Sequence, residues 1–433
     1  MIATTTEVVR RVLVISNLFP PRVLGGYEIA CANICAGLRA RGIDVRAMTS
    51  PMDLPDPADT EWVHRILGLR TYFPLPETSG AVASFFHFES AVSRFENTKL
   101  VLDEVRAFRP DAVILFNVTG IGGIAIMHML NETGVPWLLN LGDDVPAALT
   151  RGLPAEVLDV FGADPAEFFR DVDIVALSER LADEVRESVR ADRVSIVPRG
   201  VRAPDEVRTG YRPGGVTRFV FAGSLYPNKG IGAIIDAVSA LRSTPADFTL
   251  DVFGGGDVDF YRALAEERGV GDSIRFHGYT EQKDLVRRYV DFDVFLFPSW
   301  DREPFGSAAV EAAAAGCVPV ISELAGVAEW FLDGGSAVML TPTAEGVRQA
   351  MERVLDPEFD LKRVGAAARR VATGPLDAER VLDRFVQCVA DVIRDRTEGG
   401  RVDDPDLATE LLALDRRAVE LMHAAVLRAE RGY

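Results

Sequence analysis

Twice along this chain, short apolar runs alternate with stretches of helical periodicity, and no other feature constrains its fold as strongly. RVLVIS (11–16) leads into a loop holding Pro20, Pro21, Gly25 and Gly26. A helix is then predicted over 27–41, with Ala30, Cys31, Ile34, Cys35 and Leu38 at helical spacing and Gly42 at its end. IDVRAMTS (43–50), DAVILFN (111–117), VPWLLNLG (135–142), DIVALS (173–178) and RVSIVPRGV (193–201) continue the series as strands. After the turn-rich YRPGG (211–215), a linker signal, the pattern restarts. TRFVFAG (217–223), FTLDVFGGG (248–256), SIRFHGY (273–279), DVFLFP (293–298) and CVPVIS (317–322) read as strands, with helices predicted over 230–242, 259–268, 281–291 and 306–315. Such alternation implies parallel sheets joined by right-handed crossovers. The expectation is an α/β protein with two doubly wound domains, 1–205 and 206–376, facing a central cleft. Ligands of such sheets bind beyond the carboxyl ends of the strands. The amphipathic tail 377–433 is expected to form helices that pack back on the body, with a homo-oligomer contact as second choice. Residues 52–100 are too irregular to thread.

Composition narrows the function classes. The formal net charge of -18 disfavours broad binding to nucleic acid or to anionic membranes. Cys31, Cys35, Cys317 and Cys388 lie among apolar neighbours, which suits reduced core thiols in a cytoplasmic protein. The opening MIATTTEVVR lacks the apolar core of a signal peptide, and no stretch is long enough to span a bilayer. A cytoplasmic location is expected, with peripheral membrane placement left open. The five histidines have no metal-ligand spacing, and no metal is expected. His87, in SFFHFES, suits core packing more than an acceptor contact. The run from Gly120 to Ala125 matches G-x-G-x-x-A, but it follows a later strand and has no clear acidic partner downstream.

The chemistry concentrates in REPFGSAAVEAAAAG (302–316). Seven residues separate Glu303 from Glu311. A helix beginning near Gly306 would aim its free N–H groups and dipole at an anionic ligand group. Glu303 would precede that helix and Glu311 lie about a turn and a half inside it, so the two would meet different parts of one long ligand. Carboxylates accept well from hydroxyl pairs, as in sugars or ribose. By spacing alone, a solvated loop glutamate and a helix-surface glutamate remain the alternative. Upstream, FVFAGSLYPNKGIGAII (219–235) places Lys229 at a strand-to-helix junction, where it suits a phosphate clamp.

Together these stretches resemble the retaining glycosyltransferases of family 4, which have the GT-B fold of two Rossmann-like domains. The E-x7-E from Glu303 to Glu311, with Glu303-Pro304-Phe305-Gly306, carries the resemblance. GSLYPNKG (223–230), LDVFGGGD (250–257), IRFHGY (274–279) and 312–334 extend it; LFPPRVLGGYE (18–28) and VPRGV (197–201) match more loosely. The resemblance implies transfer of a sugar from a nucleotide-sugar donor to a hydroxyl acceptor, with retention and without a metal or other cofactor. It implies catalytic roles for Glu303 and Lys229; where the chain departs from the family pattern, Asp143 or Asp144 is the candidate to orient the acceptor hydroxyl or act as its base. Donor contacts fall on Gly25, Gly26, Ser224, Lys229, Gly255, Tyr279, Glu303, Phe305, Gly306, Ser307 and Glu311. Among these, Glu303 would take the sugar, Glu311 the ribose and Lys229 the diphosphate.

The chain also departs from the family pattern. Ser224 stands where many relatives carry an arginine, with Arg302 or Arg199 as the candidate substitute. Asn117 and Gly142-Asp143-Asp144 stand where histidines are frequent. Asn117, Asp143 and Asp144 are the acceptor-side candidates, and capping the next helix is the simpler role for the aspartates. The acceptor would be a glycan, a lipid-linked glycan or a small molecule. A phosphorylase-like enzyme and a degenerate GT-B binding or scaffold protein are the alternatives.

Overall fold

The computed structural model describes residues 8–51, 61–70, 80–243, 246–301, 303–395 and 400–430. The chain divides into two bodies. One contains 1–177, 181–197 and 382–433; the other contains 178–180 and 198–381.

The first body is built on β1 (Arg11–Ile15), β2 (Asp44–Thr49), β3 (Val63–Arg65), β4 (Ala112–Leu115), β5 (Trp137–Asn140), β6 (Asp173–Ala176) and β7 (Val194–Ile196). These pair in the order β3-β2-β1-β4-β5-β6-β7, every pair parallel. The central strands AVIL and WLLN are buried at every residue, as a parallel sheet covered on both faces requires. Helix Gly26–Ala40 buries Cys31, Cys35 and Leu38 at i, i+4 and i+7. Helix Gly123–Thr133 follows the G-x-G-x-x-A run. Gly122, at φ 80°, lies where a Cβ would press on the Ser93–Arg94 backbone, so close packing accounts for that glycine. All four cysteines are free thiols, and Cys31 and Cys35 are fully buried.

The tail belongs to this first body. Helix Leu407–Glu430 packs on helices Gly80–Ala91, Phe95–Phe108 and Ala155–Leu158, burying Ala418 and Met422. Ser93 Oγ donates to Asp415 Oδ1 at 2.5 Å, and burial raises the Asp415 carboxyl. Of the stretch that resisted threading, residues 52–60 and 71–79 lie outside the described residues. The remainder holds the short edge strand β3 and much of two helices, with SFFHFES on helix Gly80–Ala91.

The second body contains β8 (Thr217–Ala222), β9 (Phe248–Phe253), β10 (Ile274–Gly278), β11 (Val294–Phe297), β12 (Val318–Ser322) and β13 (Val338–Leu340), paired in parallel in the order β10-β9-β8-β11-β12-β13. Phe219, Leu250 and Val294 from the sheet pack with Ile234, Val347 and Met351 from helices Ile231–Ala240 and Ala344–Leu355. In both sheets one strand starts the winding and has later strands on either side. β1 lies between β2 and β4, and β8 lies between β9 and β11. The strand order reverses there, and the carboxyl ends of those strands are where such sheets receive ligands.

The turn-rich stretch predicted as a linker is firmly anchored. Asp293, fully buried just before β11, accepts from Arg208 Nε at 3.0 Å and Nη2 at 2.5 Å. It also accepts from the backbone N–H of Arg212 at 3.0 Å and of Arg218 at 2.8 Å. Tyr211 Oη donates to Gly316 O at 2.6 Å, and burial pushes its phenol up to about 12. The turn-rich YRPGG thus rests on a buried charged anchor.

Candidate functional site

At the switch point of the second sheet, β8 and β11 run into two loops that face each other. The β8 loop passes Gly223 and Ser224 into the short turn Pro227–Lys229; the β11 loop passes Pro298 and Ser299 to Glu303. Lys229 Nζ donates to Glu303 Oε2 at 2.5 Å. The two side chains are 28% and 14% exposed, so the pair is half out of water yet reachable. Trp300 fastens the loops together. Its N–H donates to Asn228 O at 3.1 Å and its Nε1 to Pro227 O at 2.6 Å. Gly230 sits at φ 79°, and a Cβ there would run into Pro298 O, so only glycine permits this approach. Gly254 plays the same part between β9 and β8: at φ 148° its missing Cβ leaves room for Gly223 O.

Glu303 has a fixed backbone. Its carbonyl accepts from Gly326 N at 3.0 Å, and Phe305 O accepts from Val327 N at 2.8 Å. Phe305 is buried. Helix Ser307–Ala315 begins immediately after, with Gly306 as its N-cap at φ 112° and no side chain to satisfy the first N–H groups. Ser307 Oγ is buried without a hydrogen-bond partner among the described residues. Unsatisfied donors and a hydroxyl at a helix N-terminus suit an anionic oxygen ligand. The buried Ala309 and Ala312–Ala315 let this helix lie close to its neighbours.

Glu311 is half-buried on the same helix. Desolvation pushes its carboxyl up to about 7, opposed by the hydrogen bond from Gln282 Nε2 at 2.5 Å. A raised carboxyl favours the fold most when protonated, so this contribution to stability is lost as pH rises through about 7. A hydroxyl donates more strongly to the ionised carboxylate than to the neutral acid, so for a hydroxyl ligand the two effects would oppose one another. Affinity for a ligand held at Glu311 is expected to fall about tenfold between pH 8 and pH 6, by ionised fraction alone. Glu311→Gln should flatten that profile in a calorimetric pH series. An unchanged slope in the variant would remove Glu311 from the ligand contact.

Gly255 and Tyr279 lie together at the ends of β9 and β10, with Gly254 N donating to Gly278 O at 2.9 Å and Tyr279 79% exposed. Beneath them His277 stacks on Phe253 at 4.3 Å and contacts Asp251 at 2.5 Å. The donor-side candidates of the second body therefore all stand at the carboxyl end of one sheet. Arg302 lies outside the described residues.

The first body places its candidates at the ends of β1, β4 and β5. Gly25 and Gly26 are exposed at the start of helix Gly26–Ala40. The buried Glu28 accepts there from Gly25 N at 3.0 Å. Asn117 Oδ1 accepts from Thr119 N at 3.1 Å and Thr119 Oγ1 at 2.7 Å, so its side chain closes a local turn. Asp144 caps helix Val145–Thr150, accepting from Ala147 N at 3.1 Å. Asp143 is exposed and accepts from Asp144 N at 2.8 Å. Three residues at these sites lie outside the sequence motifs: Asn17 in the first body, and Trp300 and Gln282 in the second. Asn17 Oδ1 is buried without a hydrogen-bond partner among the described residues, directly after β1 at the switch point, and that position alone could have drawn attention to it. Trp300 and Gln282 carried no local signal.

Comparison with known proteins agrees with this layout. Residues 208–371 match the family model "Glycosyl transferases group 1", and residues 25–200 match "Glycosyl transferase 4-like domain". The glycogen synthase of Mycobacterium tuberculosis is 25% identical over 391 residues, spanning 87% of this chain and 94% of that protein. Among solved structures, sucrose-phosphate synthase from Thermosynechococcus elongatus aligns with a TM-score of 0.68 at 18% identity, over 89% of this chain and 99% of that one. Anabaena Alr3699/HepE in complex with UDP and glucose aligns with a TM-score of 0.60 at 14% identity, over 88% and 100%.

Proposed function

Because this chain belongs to the glycosyltransferases of the GT-B fold, we propose that it moves a sugar from a nucleotide-sugar donor to a hydroxyl acceptor, with retention and without a metal ion. The meeting of Lys229 and Glu303 at the switch point of the second sheet carries this reading. The UDP and glucose held by the similar Anabaena protein favour a donor of that class.

In this reading Lys229 and the N-terminus of helix Ser307–Ala315 hold the diphosphate and stabilise its charge as it leaves. Ser307 Oγ adds a donor to the same group. Glu303 accepts from sugar hydroxyls, Glu311 from the ribose, and Gly255 and Tyr279 border the base. The bond from the anomeric carbon to the phosphate oxygen breaks while the acceptor oxygen attacks on the same face. The acceptor proton passes to the departing diphosphate. The acceptor, a glycan, lipid-linked glycan or small molecule, meets Asn117, Asp143 and Asp144 in the first body, with Asp143 the exposed carboxylate that could orient its hydroxyl. Asn117 and Asp144 are both engaged in local turns and caps, which favours one second reading: a binding protein on this fold that releases no product.

Nucleoside diphosphate release from UDP-, GDP-, ADP- and TDP-sugars, measured in EDTA alongside calorimetric binding, separates these readings. Slow release from one donor is expected in EDTA. Binding without release, even with acceptors supplied, would favour the binding protein. Phosphate-dependent turnover without nucleotide would indicate a phosphorylase, and neither binding nor release would end the nucleotide-sugar reading.

A further inference from the structure

The Lys229–Glu303 contact joins two groups that the proposed function assigns to different parts of the donor. Glu303 Oε2 lies 2.5 Å from the ammonium and 3.5 Å from Ser299 Oγ, and its side chain is only 14% exposed. The lysine therefore occupies Oε2, one of the two carboxylate oxygens that a sugar hydroxyl would use. The backbone of both loops is pinned by Trp300 and by the close approach of Gly230 to Pro298, so exchange of partners falls to the side chains. A diphosphate carries more charge than one carboxylate and competes directly for the ammonium. It also repels Glu303, which then turns its oxygens to uncharged donors.

We propose that Lys229 masks Glu303 against free sugars and that a diphosphate unmasks it, so that the diphosphate and sugar subsites are positively coupled. This rests on the nucleotide-sugar reading and deepens it. The site would then select sugars that arrive with a diphosphate, and would ignore abundant free hexoses.

Two consequences run against what simple contact loss would give. Glu303→Gln removes the competitor for Lys229 and a like charge beside the diphosphate, so nucleoside diphosphate should bind more tightly, by about three- to tenfold. Lys229→Ala uncovers Glu303, so free hexose should bind without nucleotide. The test is calorimetry of UDP, GDP, ADP and TDP, and of glucose, galactose and mannose, on the full chain and both variants. In the wild type, one nucleoside diphosphate is expected to bind and to raise the affinity of one hexose at least about tenfold, the usual scale of site coupling. Unchanged or weaker nucleotide binding by Glu303→Gln overturns the proposal, as does a hexose affinity in the wild type that nucleotide does not raise, or a Lys229→Ala variant that binds nucleotide-free hexose no better than the wild type. Those outcomes leave the donor reading standing. A wild type that binds none of the four nucleotides defeats the donor reading, and this inference with it.

Discussion

Glu303→Gln is expected to lower kcat for sugar transfer by about a hundred- to a thousandfold, the scale of losing one preorganised electrostatic group. The substitution keeps the volume and one carbonyl oxygen but removes the charge. In the proposed reaction the anomeric carbon becomes electron-poor as the diphosphate leaves, and a carboxylate beside the sugar ring stabilises that change. Glu303 is well placed for it. Its backbone is held through Gly326 and its side chain stands at the switch point against Lys229. The nucleotide should still bind, so the loss belongs in kcat and not in donor affinity. Steady-state kinetics on the donor identified by the release assay would decide it. A variant keeping more than about a tenth of wild-type turnover would exclude a transition-state role of that size.

Asp293→Ala is expected to cost the second body about 3–5 kcal/mol, the range for stranding one partner of a buried ion pair. The carboxylate is fully buried, and its partner Arg208 has a side chain only 6% exposed. Removing it leaves the guanidinium uncompensated and orphans the backbone N–H groups of Arg212 and Arg218. Arg208 also donates to Val290 O at 2.6 Å, so it cannot simply swing into water. Two bodies need not unfold together, so the expected signature is a displaced transition for the second body alone. Urea unfolding followed by a probe in each body would show it. A change under about 1 kcal/mol would mean that the site relaxes or admits water, as exposed pairs do.

The helices of the second half were legible to within a few residues, because their apolar period is a local property. Helices predicted over 230–242 and 306–315 are observed at Ile231–Ala240 and Ser307–Ala315. The edge strands β3 and β13 escaped, since three residues are too few to show a period. The aspartate pair after β5 reads as a candidate cap, and Asp144 is one. Asn117 offered no such warning, because its turn depends on Thr119 folding back onto it.

Two wound α/β series, and a pair of glutamates at the entrance and interior of one helix, are legible in the amino-acid order alone. These follow from periodicity and from backbone sterics, which act over a few residues. The meeting of Lys229 with Glu303, 74 residues away, comes from long-range packing. That meeting requires β11 to pair with β8, passing over β9 and β10, and strand order is set by the packing of helices on both faces. Packing also pushes the Glu311 carboxyl up to about 7, because a carboxylate loses its water only where folding buries it.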